Sequence, residues 1–296
     1  MKAIIFIFGI LFLFGCVQTE VENGGETVVP QTPAEEPEEI VINVPVSEEP
    51  EEVPEEEVPE EEEIPNPLDL IEHKEKMFET KDGWDIYGTV YYASREGAFY
   101  PDTLIILIPA LGKDRSTYDE LVPLLHDAFP TADVLALDMR GHGKSTNRGD
   151  YSNFQTGDFR AMPNDLEAVK SYYSVARPYA SKFYLVGASM GSSVALNYAA
   201  DHGEVDRVVM ISPGVAYQDF DIIEDAEIYL HRLYVTAGSE DAYSASSANQ
   251  IYNSCPSDNK KSRIYQGVSA HGTDLFDATK DTDQPLLELV TDWLRE

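Results

Sequence analysis

Two cysteines in 296 residues, Cys16 and Cys255, cannot build a disulfide framework, so a chain of this length has to be held by an apolar core. Positive charge is also scarce: 21 Lys and Arg stand against 54 Asp and Glu, a formal net charge of −33. The deficit is not confined to one end. Residues 17–66 contain eighteen Glu and no Lys, Arg or Asp, yet residues 67–296 still carry −16. This disfavours a nucleic-acid partner, because phosphate contacts need clustered Lys and Arg. The longest apolar run, Ala3 to Phe14, falls short of the roughly 20 residues a membrane-spanning helix requires. No His-Glu-x-x-His pattern is present and the histidines are scattered, so no metal site is expected. Gly143-Lys144-Ser145 imitates the end of a phosphate-binding loop, but Asp138 stands where that loop needs its first glycine. The globular part has no internal repeats, which argues against a repetitive surface-layer scaffold.

What is present begins with targeting. Met1-Lys2, the short apolar run and Gly15-Cys16 form a secretory signal over residues 1–15. Leu13-Phe14-Gly15-Cys16 further resembles a lipoprotein signal, which implies that Cys16 is lipidated and anchors the mature chain on the extracytoplasmic side of a membrane; secretion is the alternative. Residues 16–67 are rich in Pro and Glu, with Val-Pro-Glu-Glu-type repeats and almost no aromatics. Such a composition cannot offset chain entropy, so this stretch is read as an unfolded tether reaching about 150 Å if fully extended.

Residues 68–296 suffice for one large core. Lys74 to Thr80 and Asp85 to Tyr92 read as a hairpin around Asp82-Gly83. Apolar strands follow at Leu104 to Ile108, Asp133 to Leu137, Lys182 to Val186, Arg207 to Ile211, His231 to Ala237 and Lys261 to Tyr265. Helical spacing separates them, over Thr117 to His126, Asn164 to Tyr173, Met190 to Ala200, Ala242 to Asn253 and Asp283 to Arg295. This alternation predicts an α/β fold, a mostly parallel twisted sheet with helices on both faces after an N-terminal hairpin. Gly214 to Ile228 leaves room only for a minimal cap, in which Ile222 and Ile223 either line the site or are buried in an acidic loop.

Gly187-Ala-Ser-Met-Gly191 joins a predicted strand to a predicted helix. Small residues on both sides of Ser189 allow a sharp turn that lifts its hydroxyl above the sheet, although a plain helix N-cap would also place Ser there. Asp241 and His271 follow in loops just beyond later strands, with Glu240 as the rival acid. A serine hydroxyl needs a base to become nucleophilic, and an imidazole oriented by a carboxylate supplies one. His142 precedes the serine, out of that order, and is read as structural or as a rim residue. Cys255 sits before Pro256 in a polar stretch and is read as an unpaired surface or half-buried thiol.

From about Lys74 onward the chain resembles the α/β-hydrolases. The resemblance rests on the serine motif with its Asp and His, on Leu104-Ile-Ile-Leu-Ile-Pro109-Ala110-Leu111-Gly112, and on Asp138-Met-Arg140-Gly141-His142-Gly143-Lys-Ser145. Ile211-Ser212-Pro213-Gly214 is similar to a segment of dienelactone-hydrolase-like members. The resemblance implies that the amides of Leu111 and Met190 form an oxyanion hole, although many members carry His-Gly where this chain has Pro109-Ala110. It also implies a cofactor-free serine hydrolase acting on a small-molecule ester or other acyl substrate, most simply a carboxylic ester. A peptidase or acyltransferase using the same residues, and a non-catalytic binding module at the cell surface, are the alternatives. Oligomeric state is not legible.

Overall fold

The structure is a computed structural model, and it describes residues 65–94, 101–176, 181–218 and 220–296. The signal segment, Cys16 and nearly all of the acidic tract lie outside the described residues. All described residues belong to the unit Glu61–Glu296.

Among the described residues, ten strands and eight α-helices follow one another: β1 His73–Glu79, β2 Asp85–Tyr91, β3 Thr103–Ile108, α1 Leu121–Ala128, β4 Ala132–Leu137, α2 Thr156–Arg160, α3 Pro163–Ala176, β5 Lys182–Ala188, α4 Met190–Asp201, β6 Val205–Ile211, β7 Ala216–Tyr217, β8 Phe220–Asp221, α5 Ile223–Ile228, β9 Arg232–Gly238, α6 Ala242–Ser254, β10 Lys260–Tyr265, α7 Leu275–Thr279 and α8 Leu286–Arg295. Eight strands form one sheet in the order β1-β2-β4-β3-β5-β6-β9-β10, while β7 and β8 pair separately. The β1–β2 and β2–β4 pairings are antiparallel and all later ones parallel. The expected parallel sheet with a leading hairpin is therefore the observed one.

Strand β3 shows why the central strands are apolar throughout. Leu104, Ile106 and Ile108 pack into a core layer with Leu166, Val194 and Ile251 of α3, α4 and α6. Ile105 and Leu107 point to the other face, where Leu121 and Leu125 of α1 and Val290 and Trp293 of α8 cover them. Both faces exclude water, so the period-2 alternation of a half-exposed sheet is lost. Only the edges read differently, as β10 (Lys-Lys-Ser-Arg-Ile-Tyr) does.

Four local departures from the sequence reading are observed. The helix expected from Thr117 is broken into a 3₁₀ turn, Arg115–Tyr118, and α1. Pro123 has no N–H and crowds the residue before it, so it is tolerated only in a first turn, which forces α1 to start at Leu121. Pro285 likewise delays α8 to Leu286. The Gly214–Ile228 stretch holds the short β7–β8 pair and α5 rather than an open loop; it is still a minimal cap, and Ile222 is fully buried in the core. Cys255 is buried rather than surface-exposed: its thiol donates to the Tyr229 carbonyl at 3.3 Å, and burial pushes its pKa up.

Candidate active site

Because β4 lies on one side of β3 and β5 on the other, the chain reverses its winding direction there and opens a crevice at the carboxyl ends of these strands. Ser189 stands at the end of β5, between it and α4. Its backbone, at φ 51 and ψ −120, is a conformation L-residues rarely adopt. The flanking glycines make it reachable. A Cβ on Gly187 would come within 2.3 Å of the Gly191 carbonyl oxygen, and one on Gly191 within 2.3 Å of the Ile108 carbonyl oxygen. The Ser189 amide donates to the Ile211 carbonyl at 2.8 Å, which ties the turn to β6.

Asp241 follows β9 and caps α6, its Oδ1 accepting from the Ser244 amide at 3.4 Å. His271 precedes a 3₁₀ turn, Gly272–Asp274, beyond β10. These three residues, 82 positions apart at the extremes, meet in a line: His271 Nδ1 lies 2.6 Å from Asp241 Oδ2, and His271 Nε2 lies 2.8 Å from Ser189 Oγ. A carboxylate accepts, so Nδ1 carries the proton and Nε2 is left to accept from the serine hydroxyl. The Ser244 hydroxyl lies 3.4 Å from the same Nδ1. The rival acid Glu240 is exposed, with its amide bonded to the Val268 carbonyl at 2.9 Å.

A cavity of about 210 Å³ opens beside Ser189, and Leu111, Met190 and His271 line it. Its remaining lining was not legible as such: Ser193, Ser212, Gly214, Tyr217, Tyr243 and Ser244. Neither Ile222 nor Ile223 borders it, so of the two alternatives for this pair the site-lining one is not the one observed. The signals available were weak ones, a Ser-Pro-Gly run after β6 and a Tyr-Ser pair at the start of the helix after Asp241.

The Asp138–Ser145 segment, which follows β4, is held by buried hydrogen bonds and ion pairs. Asp138, almost fully buried, accepts from the amides of Arg115 and Lys144, both at 2.9 Å, and lies 3.1 Å from the Arg115 guanidinium. It thereby joins the turn after Leu111 to the Gly141–Ser145 turn. Buried Arg140 bonds Asp165 and Asp82, both at 2.8 Å. His142 is buried, bonds the Arg140 carbonyl through Nδ1 at 2.8 Å and stacks on Tyr151 at 4.5 Å; it does not border the cavity. Burial lowers its pKa. Among the described residues, no group of three or more His, Cys, Asp or Glu is arranged to hold a metal ion.

A family model described as the alpha/beta hydrolase fold matches residues 103–249, the stretch from β3 to α6 that contains Ser189 and Asp241. The chain belongs to the α/β-hydrolase fold family. Solved structures of two esterases and a dienelactone hydrolase superpose accordingly. The Pyrococcus furiosus esterase Pf2001 is 20% identical, with a TM-score of 0.62 over 77% of this chain and 94% of that one. A thermostable carboxyl esterase from Bacillus coagulans is 15% identical, with a TM-score of 0.58 over 75% and 97%. A dienelactone hydrolase from Anabaena variabilis is 12% identical, with a TM-score of 0.57 over 76% and 97%. Compared by sequence with curated proteins, this α/β-hydrolase has no match.

Proposed function

We propose that the protein is a cofactor-independent serine hydrolase of small carboxylic esters, working outside the cytoplasm on a lipid anchor at Cys16. The observation that carries the reading is the unbroken relay from Asp241 through His271 to Ser189, with contacts of 2.6 and 2.8 Å, beside a cavity. Ser189 Oγ attacks the ester carbonyl carbon while its proton passes to His271 Nε2, and Asp241 stabilises the resulting imidazolium. The amides of Leu111 and Met190 hold the oxyanion. The carbonyl–alkoxy bond then breaks, His271 returns the proton to the departing alcohol, and water repeats the sequence on the acyl-serine. The esterases among the solved relatives support the ester over the amide. The anchor rests on the N-terminal pattern alone.

A fluorophosphonate probe tests the chemistry. It is expected to label Ser189 stoichiometrically, to fail in Ser189→Ala and His271→Ala, and to leave Glu240→Gln at wild-type rate, while Asp241→Asn loses about 10⁴-fold in ester turnover. A folded wild-type protein that resists labelling would overturn the reading and favour a non-catalytic binding module.

A further inference from the structure

The cavity beside Ser189 is small, about 210 Å³ against the roughly 300–1,000 Å³ of sites for drug-sized ligands. Two of its lining residues are large aromatics that remain about half exposed, Tyr217 at 45% and Tyr243 at 54%. Exposed aromatics are ordinarily mobile, but this pair is held. The Tyr243 hydroxyl donates to the carbonyl of Ala216 and accepts from its amide at 3.2 Å, so one side chain satisfies both backbone groups of the residue next to Tyr217. The ring itself packs on Gly214, where an added Cβ would sit only 3.0 Å from Tyr243 Cε1. Tyr217 in turn meets Phe159 edge-on at 5.6 Å, and Phe159 meets Phe154 in the same way at 5.6 Å. Tyr243 is also two positions after Asp241, in the first turn of α6, so the acid and the wall share one rigid element.

We infer that Tyr243, clamped on Ala216, is the specificity-determining residue of this site: it is a fixed aromatic wall that limits the substrate group entering beside Ser189 to a short chain. The inference rests on the reading of Ser189 as the nucleophile of an ester hydrolase. A wall that is hydrogen-bonded twice at its tip exchanges both bonds for water when it swings aside, so the closed position is the favoured one and long chains are disfavoured. The phenyl ring supplies the bulk and the hydroxyl supplies the rigidity, so removing each has a different consequence.

The test uses the full chain and two substrate series, p-nitrophenyl esters from acetate to decanoate and acetate esters of lengthening alcohols. The wild type is expected to prefer the short members of at least one series. Tyr243→Ala should raise kcat/KM for the long members of that series at least about tenfold relative to the short ones. Tyr243→Phe keeps the ring and frees the wall, so it should broaden the profile without moving its maximum. A Tyr243→Ala profile that superimposes on the wild type in both series overturns the proposal while leaving ester hydrolysis intact. If that variant does not fold, an unchanged profile in Tyr243→Phe overturns it equally. No turnover of any ester by the folded wild type would overturn the reading of function and this inference together.

Discussion

Ser189 occupies a backbone conformation that no helix cap requires, at φ 51 and ψ −120, and that strain separates it from an ordinary capping serine. The two readings were equivalent in sequence, because both place Ser between a strand and a helix. Asp241 and Glu240 were also adjacent and equally acidic. They part because Glu240 still bonds back to the Val268 carbonyl, whereas Asp241 turns the chain into α6 and brings its carboxylate to the imidazole. His142 illustrates the opposite case, a histidine in a glycine-rich turn that is packing rather than chemistry. Burial holds its pKa below the ordinary value, so between the two values the unfolded chain binds more protons than the native one. Its contribution to stability is complete above about pH 6.5 and is lost as pH falls through that value toward the native one. Thermal unfolding followed from pH 7.5 down to 5 should therefore show a smaller loss of Tm in His142→Asn than in the wild type.

At the scale of elements, the serine turn works only because α4 is pressed against the end of β3. Gly191 is where the two backbones meet, and the space for a methyl group is already filled by the Ile108 and Pro109 carbonyls. Gly191→Ala must push α4 away from the sheet and with it the Met190 amide. The expected outcome is a destabilisation of about 3 kcal/mol or more by urea unfolding, with loss of probe labelling even in the fraction that folds. Prolines were the least legible element signals. Pro123 and Pro285 sit within apolar helical patterns, and only their requirement for a first-turn or capping position moves the helix starts to Leu121 and Leu286. The β7–β8 pair, of two residues each, was not visible as strand at all, because its pairing is fixed by contacts with α6 such as the Tyr243 clamp on Ala216.

For the whole molecule, charge is the unusual property. Residues 67–296 are at −16, and a compact fold with that excess repels itself. Raising the salt from about 0.01 M to 0.2 M shortens the screening length from roughly 30 Å to under 10 Å and should raise Tm by a few degrees. A Tm that falls instead would mean that ion pairs such as those of Arg115 and Arg140 outweigh the net repulsion.

The sequence by itself determined the strand order along the chain, the two-sided burial of the sheet and the chain order of Ser189, Asp241 and His271. Each of these follows from local pattern: runs of Ile, Leu and Val long enough to be buried on both faces, and polar motifs placed where such runs end. Only the tertiary structure decided which acid meets the imidazole, that Cys255 and Ile222 are core residues, and that Tyr217 and Tyr243 wall the cavity. Those outcomes depend on contacts between segments far apart in the chain. A tyrosine two residues after an acid has no periodicity that reveals what it will touch, whereas a buried strand carries its environment in its own composition.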